Sequence, residues 1–175
     1  MLIIAATYTE IAPIIEKLDM KQIEKKPFSI YANQKHRIVI SGIGKIKAAA
    51  ALSYALVQKR EEVCNIGYAA GESIGSLFAI KKVIDIDSDK VFHIDTPPIL
   101  PKTSCTTFSK PVHIKQKTLA DMEASAIVET AKLFKTPVYI IKLVSDNFEP
   151  ETVQEKSLFT TNQIDRLLSL LSLQS

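Results

Sequence analysis

The chain has 175 residues, 46% of them apolar and 23% charged, with a formal net charge of +3 and a mean hydropathy of +0.11. These values exclude a disordered or fibrous chain and provide for one substantial core, so residues 1–175 read as a single domain. No apolar run approaches the roughly 18 residues of a membrane span. The two cysteines lack partners at metal-ligand spacing and the lysines are dispersed, so a soluble cytoplasmic protein without disulfide framework, zinc site or nucleic-acid surface is expected.

Residues 2–6 form a short apolar run that predicts a buried strand, followed by a loop from Thr7 to Glu10 and a helix through Leu18. Ile38, Val39 and Ile40 predict a second strand, broken at Gly42 and Gly44 and followed by an alanine-rich helix over 45–59. Residues 63–66 read as a third strand ending at Gly67 and 78–86 as a fourth, with Gly71 and Gly75 at the turns between them. Residues 87–118 carry Pro97, Pro101 and Pro111 among many Ser and Thr and read as loop with one or two short strands. A helix over 121–134 feeds a fifth strand over 138–144. Leu167, Leu168, Leu170 and Leu171 give the last helix, 161–173, an apolar face that covers the core. Wholly apolar strands alternating with helices predict an α/β fold, three-layer α/β/α with a mostly parallel central sheet.

In such a sheet ligands bind beyond the carboxyl ends of the strands. The polar residues there are Glu10, residues 41–44, residues 67–72 and the run Ser145, Asp146, Asn147, with Glu123 if the first turn of its helix faces the same cleft. Gly42, Ile43, Gly44 and Lys45 offer backbone amides to an anion. Val39 and Ile46 stand where a Walker A loop has Gly and Ser or Thr, and Lys47 where a dinucleotide loop has its third glycine, so a tight turn and a phosphate site both stay open. Asp146 ends a strongly apolar strand, where desolvation favours the neutral acid, but the same run suits a helix cap, and both readings stand. Glu10 and Glu123 are each open to serving a helix dipole instead. His36, His93 and His113 have no Ser or Cys partner in a nucleophile motif and read as structural or surface groups.

Four segments taken together resemble the nucleoside phosphorylase and nucleosidase superfamily, of purine nucleoside phosphorylase and uridine phosphorylase type. The resemblance is closest to its methylthioadenosine/S-adenosylhomocysteine nucleosidase branch. The segments are 3–15 with Glu10; Ser41, Gly42, Ile43, Gly44, Lys45 and the alanine-rich helix; Asn65 through Gly71; and Asp121, Met122, Glu123, Ala124 running to Ser145 and Asp146. The resemblance implies a phosphorylase/hydrolase-like fold and cleavage of the N-glycosidic bond of a purine nucleoside. It implies that Asp146 protonates purine N7 with Ser145 orienting it, that Glu10 activates water, and that Glu123 accepts from the ribose 2′ and 3′ hydroxyls. Met122 would pack on the sugar and Phe108 stack on the base, with Ala69, Gly71 and Ile43 as further substrate contacts. It implies no metal or organic cofactor, and as partners a purine nucleoside and a second copy in a homodimer, with neither nucleic acid nor membrane.

This sequence departs from the family pattern in having Asp121 where Glu is usual and Tyr68 where a small residue is usual, which places a ring at the sugar or nucleophile site. It is also shorter than typical members, the difference falling in residues 87–103. Arg37 begins a strand, Arg60 ends a helix and Arg166 lies in the last one, so no arginine is placed to hold phosphate and hydrolysis is favoured. Phosphorolysis, nucleoside binding without turnover, and a phosphate-binding domain built on residues 42–45 are the alternatives.

Overall fold

Strand β1 (Leu2–Ala5) leads almost directly into helix α1 (Tyr8–Lys17). The Thr7 hydroxyl accepts from the Glu10 N–H while the Glu10 carboxylate accepts from the Thr7 N–H at 3.0 Å, a reciprocal cap that starts the helix earlier than hydropathy suggests. The computed structural model describes residues 1–97, 99–152 and 157–173. The chain continues through β2 (Lys21–Glu24), β3 (Ser29–Ala32), β4 (Arg37–Ile40), α2 (Lys45–Gln58), β5 (Val63–Ala70) and β6 (Leu77–Asp85). It ends with β7 (Val91–His93), β8 (Lys102–Thr107), β9 (Leu119–Asp121), α3 (Ala124–Leu133), β10 (Val138–Asp146) and α4 (Thr161–Leu173).

Strands β4, β1, β5 and β10 pair in parallel, in that order. The sheet as a whole is mixed rather than mostly parallel. Residues 71–76 between β5 and β6 are too few for a crossover, so β6 runs back and pairs antiparallel with β10. β8 and β9 follow parallel to β6, and β9 returns antiparallel to β5, closing β5, β10, β6, β8 and β9 into a ring. The irregular segment thus contributes β7 and β8. The β2–β3 hairpin extends the other edge. The third helix begins at Ala124 rather than at 121, because Asp121 still belongs to β9 and its Oδ2 accepts the Ala124 N–H at 2.8 Å.

Alternation along β1 divides the core between the two faces of the sheet. Leu2 and Ile4 pack with Ala51 and Leu52 of α2 and Val128 and Ala131 of α3. Ile3 and Ala5 pack with Ile11 and Ile14 of α1 and Leu167 and Leu170 of α4. This is the expected three-layer arrangement, with the leucine face of α4 covering the core. Among the described residues no helix is long and apolar enough to cross a membrane.

Candidate active site

The parallel strands β4, β1, β5 and β10 end on one edge of the sheet, and a cavity of about 490 Å³ opens there, a volume suited to a small organic ligand. Thr7 and Glu10 line it from the start of α1, Ile43 from the turn after β4, Ala69 and Ala70 from the end of β5, and Ser145 and Asp146 from the end of β10. Asp121, Met122 and Glu123 enter between β9 and α3, and Lys110, Pro111, Val112 and Pro150 complete the wall. Of the residues singled out from sequence, Glu10, Glu123, Asp146, Met122, Ser145, Ala69 and Ile43 therefore meet in one place.

Two of them stand elsewhere. Gly71 packs behind the cavity, where a Cβ would lie 2.5 Å from Leu119 Cδ2, and its N–H donates to the Asp146 carbonyl at 2.8 Å. It is not among the lining residues and supports the end of β10. Phe108 sits half-buried after β8, its N–H donating to the Asp121 carbonyl at 2.8 Å, and the wall on that side is formed by Lys110, Pro111 and Val112.

Each carboxyl group is positioned by a local device. Between Val144 and Asp146 the register of β10 on β5 shifts, and such an irregularity re-aims the side chains beside it. Asp146 Oδ2 accepts the Ser145 hydroxyl at 2.7 Å and Oδ1 accepts the Glu149 N–H at 3.0 Å, so the capping and cavity-facing readings of this residue coincide. Glu10 likewise caps α1 while lining the cavity. Glu123 occupies the N-cap position of α3 without capping it, because Asp121 already does so. Its Oε1 instead accepts the Gly44 N–H at 2.7 Å, at the head of α2. Gly44 has φ +103°, a backbone conformation that a residue with a Cβ strongly disfavours. The amide that an anion site would offer thus already meets a protein carboxyl group.

Lys142 adjoins the candidate site and is revealed by no motif. It lies in the middle of β10, 1% exposed, with Nζ 2.8 Å from Asp121 Oδ2. Its Nζ and Glu10 Oε1 both approach Gly67, lying 3.5 and 3.7 Å from where a Cβ would sit. One ammonium therefore faces the carboxyl groups of Asp121, Glu10 and Glu123. Burial opposes its charge, but Asp121 and Glu123 outweigh that and hold it protonated above the ordinary lysine range. Burial raises the Glu10 pKa, an effect only partly offset by the Thr7 N–H and the Lys142 charge. Burial, and then repulsion from Asp121, lift Glu123 to about 7. The signal in the sequence is a lysine inside the apolar run 138–144, since a buried strand tolerates a cation only with a partner.

A carboxyl group whose folded pKa exceeds its unfolded value stabilises the fold below the unfolded pKa and loses that contribution as pH rises through the folded one. For Glu123 this window runs from the ordinary carboxylate range up to about 7. Wild-type stability is expected to fall between about pH 5 and pH 8 by on the order of 3 kcal/mol from this group. Urea unfolding at both values checks it, with Glu123→Gln expected to flatten the dependence.

Tyr68 reaches the cavity wall. The ring packs on Phe159 at a centroid distance of 5.8 Å, and its hydroxyl accepts the Leu158 N–H at 2.7 Å. The large side chain in place of a small one ties the approach to α4 onto the sheet.

No family model and no curated protein matches the sequence. Solved structures match over nearly the whole chain. The 5′-methylthioadenosine nucleosidase of Arabidopsis thaliana superposes with a TM-score of 0.83 at 16% identity, covering 98% of this chain and 94% of that one. The 5′-methylthioadenosine/S-adenosylhomocysteine nucleosidase of Colwellia psychrerythraea, solved in complex with adenine, gives 0.78 at 22% identity over 99% and 94%. The corresponding protein of Chlamydia trachomatis gives 0.77 at 19% identity over 99% and 98%. The chain has the α/β phosphorylase/nucleosidase fold, with the mixed central sheet that the methylthioadenosine/S-adenosylhomocysteine nucleosidases share.

Proposed function

We propose that the protein hydrolyses the N-glycosidic bond of an adenosine-type nucleoside such as methylthioadenosine or S-adenosylhomocysteine. The observation that carries this reading is the convergence of Glu10, Glu123 and Asp146, from three distant parts of the chain, on one cavity beyond the strand ends. As the bond breaks, the electron pair leaves with the base and C1′ becomes oxocarbenium-like, so the site has to deliver a proton on one side and a nucleophile on the other. Asp146 gives its proton to purine N7, so the base departs neutral. Glu10 takes a proton from the water whose oxygen bonds to C1′. Exchange with solvent then returns the proton from Glu10 to Asp146, and the net change is nucleoside plus water to base plus free sugar. Glu123 accepts from the ribose 2′ and 3′ hydroxyls, Met122 packs on the sugar, and Pro111, Val112 and Pro150 offer apolar faces to the base. This chemistry calls for no metal or organic cofactor.

The balance of charge favours water over phosphate. Asp121 and the buried ammonium of Lys142 neutralise one another and Asp146 holds the proton it donates, so the carboxylate of Glu10, beside the position of the attacking water, is the charge an incoming anion would meet. Among the described residues no arginine lines the cavity. Arg37 is committed to Glu61, with Nε to Oε2 at 2.6 Å, and to the carbonyls at the end of α2. Ile43 and Ile46, 54% and 87% exposed beside the cavity mouth, support assembly as a homodimer.

Incubation with methylthioadenosine, S-adenosylhomocysteine, adenosine and inosine, with and without phosphate, tests the reading by chromatography. Free base and free sugar in the absence of phosphate are expected. An absolute requirement for phosphate would establish the phosphorolytic alternative, and tight binding without product the non-catalytic one.

A further inference from the structure

Outside the cavity wall, at the end of β6, Asp85 is 7% exposed and collects donors on both oxygens. Its Oδ1 accepts the N–H and the hydroxyl of Ser88, each at 3.0 Å, and the N–H of Asp87 at 3.1 Å, which fix it to the turn that follows β6. Its Oδ2 accepts Lys45 Nζ at 3.0 Å and the Ser125 hydroxyl. Burial opposes the charge, but the bonds from Ser125, Lys45 and Ser88 outweigh it and hold the carboxyl group down at about 2.

The chain positions of those two donors give the arrangement its meaning. Lys45 directly follows Gly44, and Ser125 comes two residues after Glu123. The Gly44 N–H to Glu123 Oε1 bond, 2.7 Å long, is thus flanked on both sides by residues tied to one carboxylate. Neither end of that bond is held by a side-chain cap of its own helix. Gly44 has no side chain, and Glu123 makes no capping bond to its own helix. We propose that Asp85 is a positioning residue that clamps the first turns of α2 and α3 together and so sets where Glu123 presents its carboxyl group to the ribose hydroxyls. The proposal rests on the reading of Glu123 given above.

Two readouts separate the clamp from that reading. The first is the backbone amide shift of Gly44 in isotope-labelled protein without any nucleoside, followed from about pH 5 to pH 9 as Glu123 ionises among Asp121, Lys142 and Glu10. The second is the ratio of kcat/KM for a ribonucleoside to that for its 2′-deoxy analogue. Asp85→Asn tests the clamp directly. Lys45→Met, at a side chain 22% exposed, tests it where folding is least at risk. Glu129→Gln, which removes the exposed Lys90 ion pair on α3, is the control. Both clamp variants are expected to reduce the Gly44 titration amplitude by at least about twofold and the ribo-to-deoxy ratio by about tenfold, with the control unchanged. A reduced Gly44 amplitude in a protein that cleaves no nucleoside would support the clamp while removing the nucleosidase reading. Folded variants with an unchanged Gly44 titration, or a loss of stability with an unchanged ratio, would overturn the proposal.

Discussion

Asp146→Asn is expected to slow base release by about 10³-fold with little change in nucleoside binding or folding. The amide keeps an oxygen to accept the Glu149 N–H, which lies 3.0 Å from Oδ1, while its NH2 in the place of Oδ2 donates to the Ser145 hydroxyl, which turns its own hydrogen to the Ala69 carbonyl 3.4 Å away. The substitution therefore removes the transferable proton and little else, and the purine would have to leave as an anion. Single-turnover measurements separate this from an effect on binding, which calorimetry reads independently. A rate within about threefold of wild type would place the acid elsewhere.

Lys142→Met is expected to have the largest effect on stability. The wild-type ion pair to Asp121 spans 2.8 Å between side chains 1% and 0% exposed, so neither charge has access to water. Loss of the ammonium leaves Asp121 uncompensated next to Glu10 and Glu123, and breaking a buried pair from one side costs about 3–5 kcal/mol. The pH dependence gives the cause away. Without Lys142 the carboxyl groups of Glu10 and Glu123, already raised, rise further, so the variant loses most stability above neutrality and recovers as pH falls and they take up protons. Urea unfolding at about pH 5 and pH 8 measures this, and adding Asp121→Asn should restore part of the loss. An equal loss at both pH values, unaffected by the second substitution, would mean that packing rather than charge was removed.

The parts of the fold that could be read in the sequence are those whose burial is dictated by strand position. β1, β5 and β10 are apolar because helices cover both their faces, and the rule that ligands sit beyond strand ends then pointed to Glu10, Ser145 and Asp146. The β2–β3 hairpin is mostly exposed or half-buried, so its hydropathy carries no comparable pattern. The mixed sheet follows from the short turn before β6, whose consequence for strand direction emerges only once β10 is seen to pair with both β5 and β6.

Within the site, the role of Glu123 depends on Gly44, which is distant in sequence, and on Asp121 having already capped α3. No local pattern encodes that division of labour. Sequence shows the size of the Tyr68 side chain and not what holds it. Its partners, Leu158 and Phe159, lie across the fold near α4. Phe108 and Gly71 rest on a resemblance of segments, which places a residue only to within a position or two along a strand end, and neither is among the residues that line the cavity.

The most direct test of the central claim is to run the reaction of methylthioadenosine in phosphate-free buffer made with oxygen-18 water and to weigh the sugar product. One water-derived oxygen at the anomeric carbon, together with stoichiometric free adenine and loss of both in Asp146→Asn, is the predicted result. Release of adenine with no labelled oxygen in the freshly formed sugar, or no release from any nucleoside offered, would contradict it.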